Sequence, residues 1–466
     1  MAIIRSYIYG YAIEPTLITL IPKKIRNIFS KDDMEAPLQI IPRDQHNISR
    51  SNISEPALKV LYRLRKAGYE AFLVGGGVRD SLLGLNPKDF DVTTNATPEQ
   101  VNSLFRNSRL IGRRFRLVHV IFGREVIEVA TFRATPKENA SNKSAKTSDS
   151  GMILRDNVYG TQDEDAMRRD FTINALYYNI ADFSVHAYAG GWEDLKKKQI
   201  RLIGDPHTRY HEDPVRMLRA IRFKAKLGFE IEPATAAPIK ELAPLLKQIP
   251  PARLFEEILK LFLHGHALKT FQLLREYGLF YYLFPAAEAL YKDDSFALLM
   301  AENTMSNTDK RVNSGLSVTP YFFISALLWP ALNKQQCQLE AQGLPPSQAQ
   351  QLAADQVIAT QINSISIPKR FTIPLREVWQ LQSRLEKAQG KKALSVLAHP
   401  RFRAAYDFLL LRQQSGESLA KRAEYWTELQ ELHPELIATR PSTFDEKKRP
   451  AKKRPRRNPY QRSKPN

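Results

Sequence analysis

Cysteine is almost absent from this chain of 466 residues, in which Cys337 is the single one. One thiol cannot form an internal disulfide, and it excludes the cysteine cages that hold structural zinc. Long apolar runs are lacking too. The longest, residues 321–332, contains Pro330 and is shorter than the about 18 residues that a membrane-spanning helix needs. The N-terminus lacks the pattern of a secretory signal, so we expect a cytoplasmic protein without a stable membrane span.

Acidic residues are too few to balance the basic ones. The 69 lysines and arginines exceed the 49 aspartates and glutamates by 20, and the isoelectric point is about 9.8. Such an excess predicts a polyanionic partner, either nucleic acid or an acidic membrane surface. The hydrophobic content of 43% is nevertheless sufficient for a sizeable folded core.

The basic excess is concentrated at the C-terminus. Residues 445–466 carry ten lysines or arginines against two acids, which is +8 of the total +20. With few apolar side chains this segment cannot bury a core, and we expect a disordered tail. The tail either keeps the protein soluble or contacts nucleic-acid phosphates. For the second role the candidates are Lys452, Lys453, Arg454, Arg456 and Arg457.

The region before residue 205 alternates helix and strand patterns, which predicts a mixed α/β unit with a sheet of four or five strands. A buried strand is expected over residues 71–74, and Thr97 begins a capping box for the following helix. Residues 134–150 have almost no large apolar side chain, so a long polar loop is expected there.

Beyond residue 205 helical patterns dominate, so the fold class is α+β: a head with a small mixed sheet, an all-helical body and the disordered basic tail. The expected parts are an N-terminal extension of unknown role, the head, a helical neck, the helical body and the tail. Their expected bounds are 1–40, 41–205, 206–275, 276–440 and 441–466.

Three glycines follow the buried strand and precede a short helix. This strand–turn–helix arrangement presents backbone N–H groups to an anion, although a tight turn also requires glycine for steric reasons alone. The dinucleotide-binding pattern G-x-G-x-x-G is excluded, because its third glycine would fall on Asp80. Phosphate binding at Gly75 and Gly76 is therefore one of two open interpretations.

Asp89 and Asp91 follow one short helix later, on a segment that alternates polar and apolar residues. In a strand, residues i and i+2 point to the same side, so both carboxylates project together while Phe90 and Val92 face the core. Two neighbouring like charges are unfavourable unless a cation lies between them, and Mg²⁺ prefers such oxygen ligands. A glycine turn beside a metal-binding acid pair predicts nucleotidyl transfer.

A third carboxylate would complete such a site, and two candidates stay open. Glu128 lies on an apolar strand, where it is otherwise an edge acid facing water. Asp170 belongs to the other candidate segment, and its simpler interpretation is a charge at a helix N-terminus. If residues 167–176 form a helix, Asp170 and Asn174 share one face, with Arg168 and Arg169 close by.

Asp213 and Arg216 lie one turn apart at the start of a predicted helix. Structurally, an acid followed by proline is a good helix start. Alternatively, the pair presents one acceptor and one bidentate donor to the edge of a base. Arg219 and Arg222 extend the same basic stripe.

Four of these segments resemble, in the same order, the motifs of the tRNA nucleotidyltransferase/poly(A) polymerase superfamily, which has a DNA polymerase β-like fold. They are LVGGGVRD at 73–80, PKDFD at 87–91, RRDFTIN at 168–174 and EDPVR at 212–216. The segment LIGRRFRLVH at 110–119 is similar to the stretch that marks the bacterial poly(A) polymerases within this superfamily. The resemblance spans about residues 40 to 430.

The resemblance implies a role for each matched position. Asp89 and Asp91 would be the metal ligands and Asp170 the third catalytic carboxylate. The nucleotide-binding positions that it implies are Gly75, Gly76, Arg79, Arg168, Asn174, Asp213, Arg216, Arg219 and Arg222. Arg113, Arg114 and Arg116 either contact RNA phosphates or form a solvated strand face.

The implied reaction is template-independent transfer of AMP from ATP to an RNA 3′ end, with two Mg²⁺ ions and release of pyrophosphate. The implied partners are RNA 3′ ends, ATP and RNA-decay machinery, and we expect a monomer. One alternative is a CCA-adding tRNA nucleotidyltransferase, which shares the chemistry but also selects CTP. A non-catalytic RNA-binding protein on the same fold is the other alternative, although both Asp89 and Asp91 are present.

Overall fold

The computed structural model describes residues 38–87, 89–112, 116–134, 145–147, 153–156 and 158–437. Within these ranges the first part of the chain combines strands with helices, whereas the later part is almost wholly helical, which confirms the α+β class. The interpretations of residues 1–37, of Arg113 and Arg114, and of the basic tail lie outside the described residues.

The strands are short, and nearly all of them precede residue 205. Their bounds are β1 (Gln39–Ile41), β2 (Ala71–Val74), β3 (Asp91–Thr94), β4 (Ser108–Ile111), β5 (Leu117–Phe122), β6 (Glu125–Thr131), β7 (Ala145–Thr147), β8 (Ile153–Asp156), β9 (Leu176–Asn179), β10 (Val185–Ala187), β11 (Gln199–Ile200) and β12 (Glu230–Ile231).

The helices lengthen toward the C-terminus. Those of the head and neck are α1 (Glu55–Lys66), α2 (Gly76–Leu82), α3 (Pro98–Leu104), α4 (Gln162–Met167), α5 (Gly191–Lys196), α6 (Pro206–Glu212), α7 (Val215–Leu227), α8 (Pro233–Ala236), α9 (Ile239–Leu242), α10 (Pro251–Phe262) and α11 (Ala267–Glu276). Those of the body are α12 (Phe280–Leu283), α13 (Pro285–Glu288), α14 (Ser295–Asn313), α15 (Pro320–Ala341), α16 (Pro346–Ser364), α17 (Lys369–Lys387), α18 (Gly390–Leu397), α19 (Phe402–Gln414) and α20 (Ala420–Leu432).

The head is built on one eight-stranded mixed sheet with the order β1-β10-β9-β2-β3-β6-β5-β4. Strand β3 pairs antiparallel with β2 and parallel with β6. The sheet is larger than the four or five strands predicted, because β1, β4, β9 and β10, for which no strand was predicted, also join it.

Several local predictions agree with the structure, and two do not. Strand β2 has the predicted bounds, and Thr97 with Gln100 forms the predicted capping box of α3. Residues 167–176 are not helical, because α4 ends at Met167 and only a 3₁₀ turn follows at Thr172–Asn174. Strand β7 lies within the region expected to be a polar loop and pairs antiparallel with β8.

A continuous buried core joins the head to the helices, from Ile41 to Leu411. The longest apolar run of the sequence, residues 321–332, is a largely buried part of α15 in this core. In the part of the chain that the structure describes, no helix is long and apolar enough to cross a membrane. The core therefore fixes the neck helix α7 against the head, where the candidate site lies.

Candidate active site

The glycine turn connects β2 to α2 at the centre of the sheet. Gly75 has φ +72°, a left-handed conformation that favours glycine, and its N–H donates to the carbonyl of Leu176 at 3.1 Å. A Cβ on Gly77 would come within 3.1 Å of the backbone oxygen of Asp89. Glycine therefore allows the turn and the acidic segment to approach each other closely.

Asp89 and Asp91 lie beside this turn, as their spacing predicts. Asp91 is the first residue of β3 and pairs in register with Val74, the last residue before the turn. Both aspartates are exposed, whereas Phe90 and Val92 are buried. The alternation therefore directs the two carboxylates away from the core and toward the same open side of the sheet.

Glu128 is the acid that the sheet places next to Asp91. Because β3 and β6 run parallel, Asp91 and Glu128 are partners in register on adjacent strands. The Oε1 atom of Glu128 lies 3.1 Å from Nε2 of His119 on β5. Glu128 is about half exposed, so its carboxylate faces the same solvent-filled side as Asp91.

Burial, followed by the neighbouring acids, changes the ionisation of Asp91. Although solvent reaches this residue, the protein packed around its carboxylate raises its pKa, and the charges of Glu128 and Asp89 raise it further, to about 6. The charge of Arg169 acts in the opposite direction. Asp91 therefore lies among like charges that a bound cation would relieve.

Asp170 is placed differently from these acids. Its Oδ1 accepts hydrogen bonds from the Phe171 N–H at 2.9 Å and from the Asn174 amide at 3.0 Å, and its Oδ2 accepts from Nε of Arg219 at 2.5 Å. Burial favours a higher pKa, but the charge of Arg219 and these hydrogen bonds outweigh it and hold the pKa of Asp170 at about 2. The role of a third catalytic carboxylate therefore stays a prediction for Asp170, whose two oxygens already have partners.

Asp170 and Asn174 are in contact, although the segment between them is not the helix on which a shared face was predicted. The loop after α4 reverses through its 3₁₀ turn and brings the amide of Asn174 back to the carboxylate. A hydrogen bond between the two side chains thus forms without helical spacing.

Arg79 lies underneath the glycine turn, buried to 3% exposure. Its Nε and Nη2 donate to Oδ1 of Asp80, and its Nη1 donates to Oδ1 of Asn174 at 2.6 Å. The guanidinium also lies 4.9 Å from the ring centre of Phe223 on α7. In this conformation Arg79 contacts the neck helix and does not project into the opening, so direct contact with a triphosphate stays a prediction.

A cluster of arginines lies between the head and the neck. Arg168 donates from Nη1 to the carbonyl of Ala134 at 2.6 Å, and Arg209 donates from Nη2 to the carbonyl of Arg168 at 2.9 Å. Burial, followed by the charges of Arg133 and Arg209, lowers the pKa of Arg168 to about 9. Burial and the charge of Arg216 likewise lower the pKa of Arg209 to about 10. Both stay protonated at neutral pH, and an anion would relieve their repulsion.

Asp213 and Arg216 do not pair through their side chains. Oδ2 of Asp213 accepts from Nη2 of Arg253 at 2.7 Å, and Nη1 of Arg216 donates to Oε2 of Glu212 at 2.8 Å. Arg222 lies 3.8 Å from Glu257 on α10. Each residue is therefore held by a partner on the neck helices, and base recognition by this pair stays a prediction.

One contributor was missed in the sequence, namely Arg209 on α6. Arg169, which was expected close to Asp170, is held by Tyr177 and Asp165, and its Nη1 would lie 3.4 Å from a Cβ on Gly75.

The predicted RNA contacts are described in part. Arg116 is half-exposed and forms an ion pair with Glu99 at 2.7 Å. This contact fits a solvated surface as well as it fits a phosphate contact. Among the described residues, no three histidine, cysteine, aspartate or glutamate side chains are close enough together to form a metal site.

Three family models match separate parts of the chain. They are described as Poly A polymerase head domain, over residues 71–201, Probable RNA and SrmB-binding site of polymerase A, over 228–290, and Polymerase A arginine-rich C-terminus, over 342–463. The first covers the glycine turn, Asp89, Asp91 and Asp170. The last covers the basic positions of the tail.

Full-length relatives agree with these models. The chain is 50% identical over 461 residues to poly(A) polymerase I of Escherichia coli O6:H1, covering 95% of this chain and 99% of that one. Identity to poly(A) polymerase I of Haemophilus influenzae is 48% over 396 residues, with 84% and 88% covered. The CCA-adding enzyme of Lactobacillus helveticus is 41% identical over 217 residues, covering 47% of this chain and 52% of that one.

Solved structures confirm the fold. The CCA-adding enzyme from Bacillus stearothermophilus in complex with CTP superimposes with a TM-score of 0.54 at 25% identity, covering 83% of this chain and 85% of that one. Likeness to the CCA-adding enzymes in sequence covers about half of the chain, whereas likeness to the poly(A) polymerases continues through nearly all of it. The chain therefore belongs to the poly(A) polymerase family of nucleotidyltransferases.

Proposed function

We propose that this protein adds AMP from ATP to RNA 3′ ends without a template and releases pyrophosphate. The observation that carries the proposal is the position of Asp91, in register with Val74 before the glycine turn and with Glu128 on the other side. A group of carboxylates beside a glycine turn is the arrangement that nucleotidyl transfer requires.

Asp89 and Asp91 would hold the metal, and Glu128, the register partner of Asp91 on β6, would have to move toward them to serve as a third ligand. The donor chemistry fits magnesium, since all three side chains are carboxylates on one open side of the sheet. Two magnesium ions bound there would lower the pKa of the RNA 3′-OH and neutralise charge on the departing pyrophosphate.

The phosphates of ATP would lie between the glycine turn and the arginine cluster. The turn lies close against the backbone of Asp89, since a Cβ on Gly77 would come within 3.1 Å of the backbone oxygen of Asp89. Arg168 and Arg209 supply positive charge there, and burial followed by the charges of neighbouring arginines lowers the pKa of each. Their repulsion favours binding of a triphosphate over binding of an uncharged nucleoside.

Asp213 and Arg216 are candidates for adenine selection, and their ion pairs would fix their orientation. Arg253 holds Asp213 from α10, and Glu212 holds Arg216 from α6. A selective site needs such rigid donors and acceptors, since specificity against another base comes from polar groups left unpaired with the wrong ligand. Adenylated RNAs would then be marked for decay, as the family resemblance implies.

The experiment uses purified full-length protein, a short RNA, Mg²⁺ and each of the four nucleoside triphosphates in turn. We expect long tails with ATP and little addition with the others. Addition of a few residues from CTP and ATP, then a stop, would indicate the CCA-adding alternative. Binding of RNA without incorporation of any nucleotide would indicate the non-catalytic alternative.

The basic tail would contribute sequence-independent phosphate contacts. Removing residues 445–466 deletes +8 of charge, so RNA affinity should fall most at low salt and the salt dependence should become shallower. Filter binding across a salt series measures both. If the dependence of RNA affinity on salt concentration is unchanged, the tail acts only as a solubilising segment.

A further inference from the structure

One face of the neck helix α7 contacts the head. A chain of hydrogen bonds through the head begins and ends on this face. Arg219, Phe223 and Lys226 are spaced so that they share this face. Phe223 packs edge-on against Phe171 with ring centres 5.5 Å apart and lies under the guanidinium of Arg79. The two charged residues flank this aromatic contact, one toward each end of α7.

At the C-terminal end of this face, Nζ of Lys226 donates to Oδ2 of Asp80 at 2.8 Å. The other oxygen of Asp80 accepts two hydrogen bonds from Arg79, at 2.8 and 2.6 Å. Both oxygens of Asp80 are thus used, one by the head and one by the neck. Removing Lys226 would leave a nearly buried carboxylate oxygen without its cation.

The hydrogen bonds continue from Arg79 and return to α7. Arg79 donates to Asn174 at 2.6 Å, and Asn174 donates to Asp170 at 3.0 Å. Asp170 accepts from Arg219, which lies on the same helix as Lys226. We call this closed set the α7 ring. Its members are Lys226, Asp80, Arg79, Asn174, Asp170 and Arg219.

The α7 ring runs directly beneath the glycine turn. Arg79 is on the helix that begins at Gly76, and the backbone oxygen of Asn174 would lie 3.8 Å from a Cβ on Gly75. A shift of Arg79 would therefore move the start of α2 and the turn. Lys226 is the ring member that joins α2 to the far end of α7, and it lies at the surface with a side chain 42% exposed.

We propose that Lys226 is a positioning residue for ATP: its ion pair with Asp80 fixes Arg79 and thereby sets the glycine turn against the Asp170–Arg219 pair. The proposal rests on the function proposed above, because it presumes that the turn holds the phosphates. It assigns the neck helix a part in nucleotide binding that requires no contact between Lys226 and ATP.

The test compares Lys226→Met with Lys224→Met in the full-length protein. Lys224 is on the same helix but pairs with Glu230, outside the α7 ring. For Lys226→Met we expect the KM for ATP to rise about 5- to 10-fold, more than kcat falls, as for loss of one charged hydrogen bond. Lys224→Met should leave the KM for ATP unchanged. Lys226→Arg should restore it, since a guanidinium also reaches and pairs with a carboxylate.

Further measurements separate positioning from a general loss of structure. The double variant Lys226→Met/Asp80→Asn should raise the KM for ATP by less than the product of the two separate increases, because both substitutions remove the same interaction. The KM for RNA should stay at the wild-type value, and Lys226→Gln serves as a second variant if the methionine protein unfolds.

An unchanged KM for ATP in both Lys226 variants, or equal increases in the Lys226 and Lys224 variants, would overturn the proposal. Failure of Lys226→Arg to restore KM would do the same. If the wild-type protein itself incorporates no ATP, the proposed function fails first, so the two failures are distinguishable.

Discussion

Two sets of acidic residues lie within the same head, and they differ in what neutralises them. The open carboxylates, by which we mean Asp89, Asp91 and Glu128, face solvent beside the glycine turn, and the pKa of Asp91 is raised to about 6. Asp170, in the α7 ring, has hydrogen bonds on both oxygens and a pKa of about 2.

The difference separates acids that a bound cation would stabilise from an acid that an arginine already neutralises. A carboxylate crowded by like charges is unfavourable in the free protein, and it becomes favourable when a metal binds. A carboxylate paired with arginine stabilises the fold and orients that arginine. The two sets have similar sequence contexts, so only their partners in the fold separate them.

The largest expected effect is on catalysis, from removing one open carboxylate. Asp91→Asn should lower ATP incorporation by about 1000-fold or more, equivalent to about 4 kcal/mol of transition-state stabilisation, because the metal loses a charged ligand. RNA retention on a filter should persist. Asp89→Asn should behave alike, and retained activity in either variant would refute the metal assignment.

The next effect is on stability, from removing the acid of the α7 ring. Asp170→Ala leaves Arg219 and Asn174 without their acceptor, and we expect a loss of about 3 kcal/mol in the free energy of unfolding. Urea unfolding followed by circular dichroism measures it. Asp91→Ala is the matched control, since the same truncation among the open carboxylates should not destabilise the protein. Equal losses in the two variants would erase the distinction between the sets.

The position of the aspartates among the open carboxylates was predictable, because it depends on local sequence patterns. Strand β2, its glycine turn and the alternation around Phe90 are each encoded within a few residues, so the approach of Asp91 to the turn followed from spacing. These features need no knowledge of the rest of the fold.

The different surroundings of Glu128 and Asp170 were not predictable in the same way. They depend on the parallel pairing of β3 with β6 and on an arginine from α7, both of which are set by contacts distant in sequence. The inward orientation of Arg79 has the same origin, since it packs against Phe223. Motif spacing locates an acid or an arginine but does not indicate its partner.

An intermediate effect is expected from Glu128→Gln, which tests the third member of the open set. Loss of one of three carboxylates should lower ATP incorporation by about 100-fold without changing stability. Glu125→Gln, on the same strand but bonded to Ser54, is the matched control. The opposite result would be a fully active Glu128→Gln variant and an Asp170→Asn variant that loses activity without losing stability. In that case Asp170, and not Glu128, is the third metal ligand.

The smallest effect concerns the pH dependence of stability in the metal-free protein. The pKa of Asp91 is raised from 3.8 to about 6, so folding favours the protonated form. Its contribution to stability is fully present below pH 3.8 and is lost as the pH rises through about 6. Asp91→Asn, which stays neutral, should therefore match wild type at acidic pH and exceed it above neutral pH.

Thermal unfolding in a chelating buffer at about pH 4 and about pH 8 measures this difference. We expect the melting temperature of Asp91→Asn to exceed that of wild type by roughly 2 °C at the higher pH alone, since solvent screens an exposed group. Asp293→Asn removes an exposed carboxylate in the helical body and should give no gain at either pH. Added Mg²⁺ should stabilise the wild type more than Asp91→Asn, because metal binding to the folded state alone adds to its stability. A gain that is equal at both pH values would mean that the raised pKa of Asp91 is not its cause.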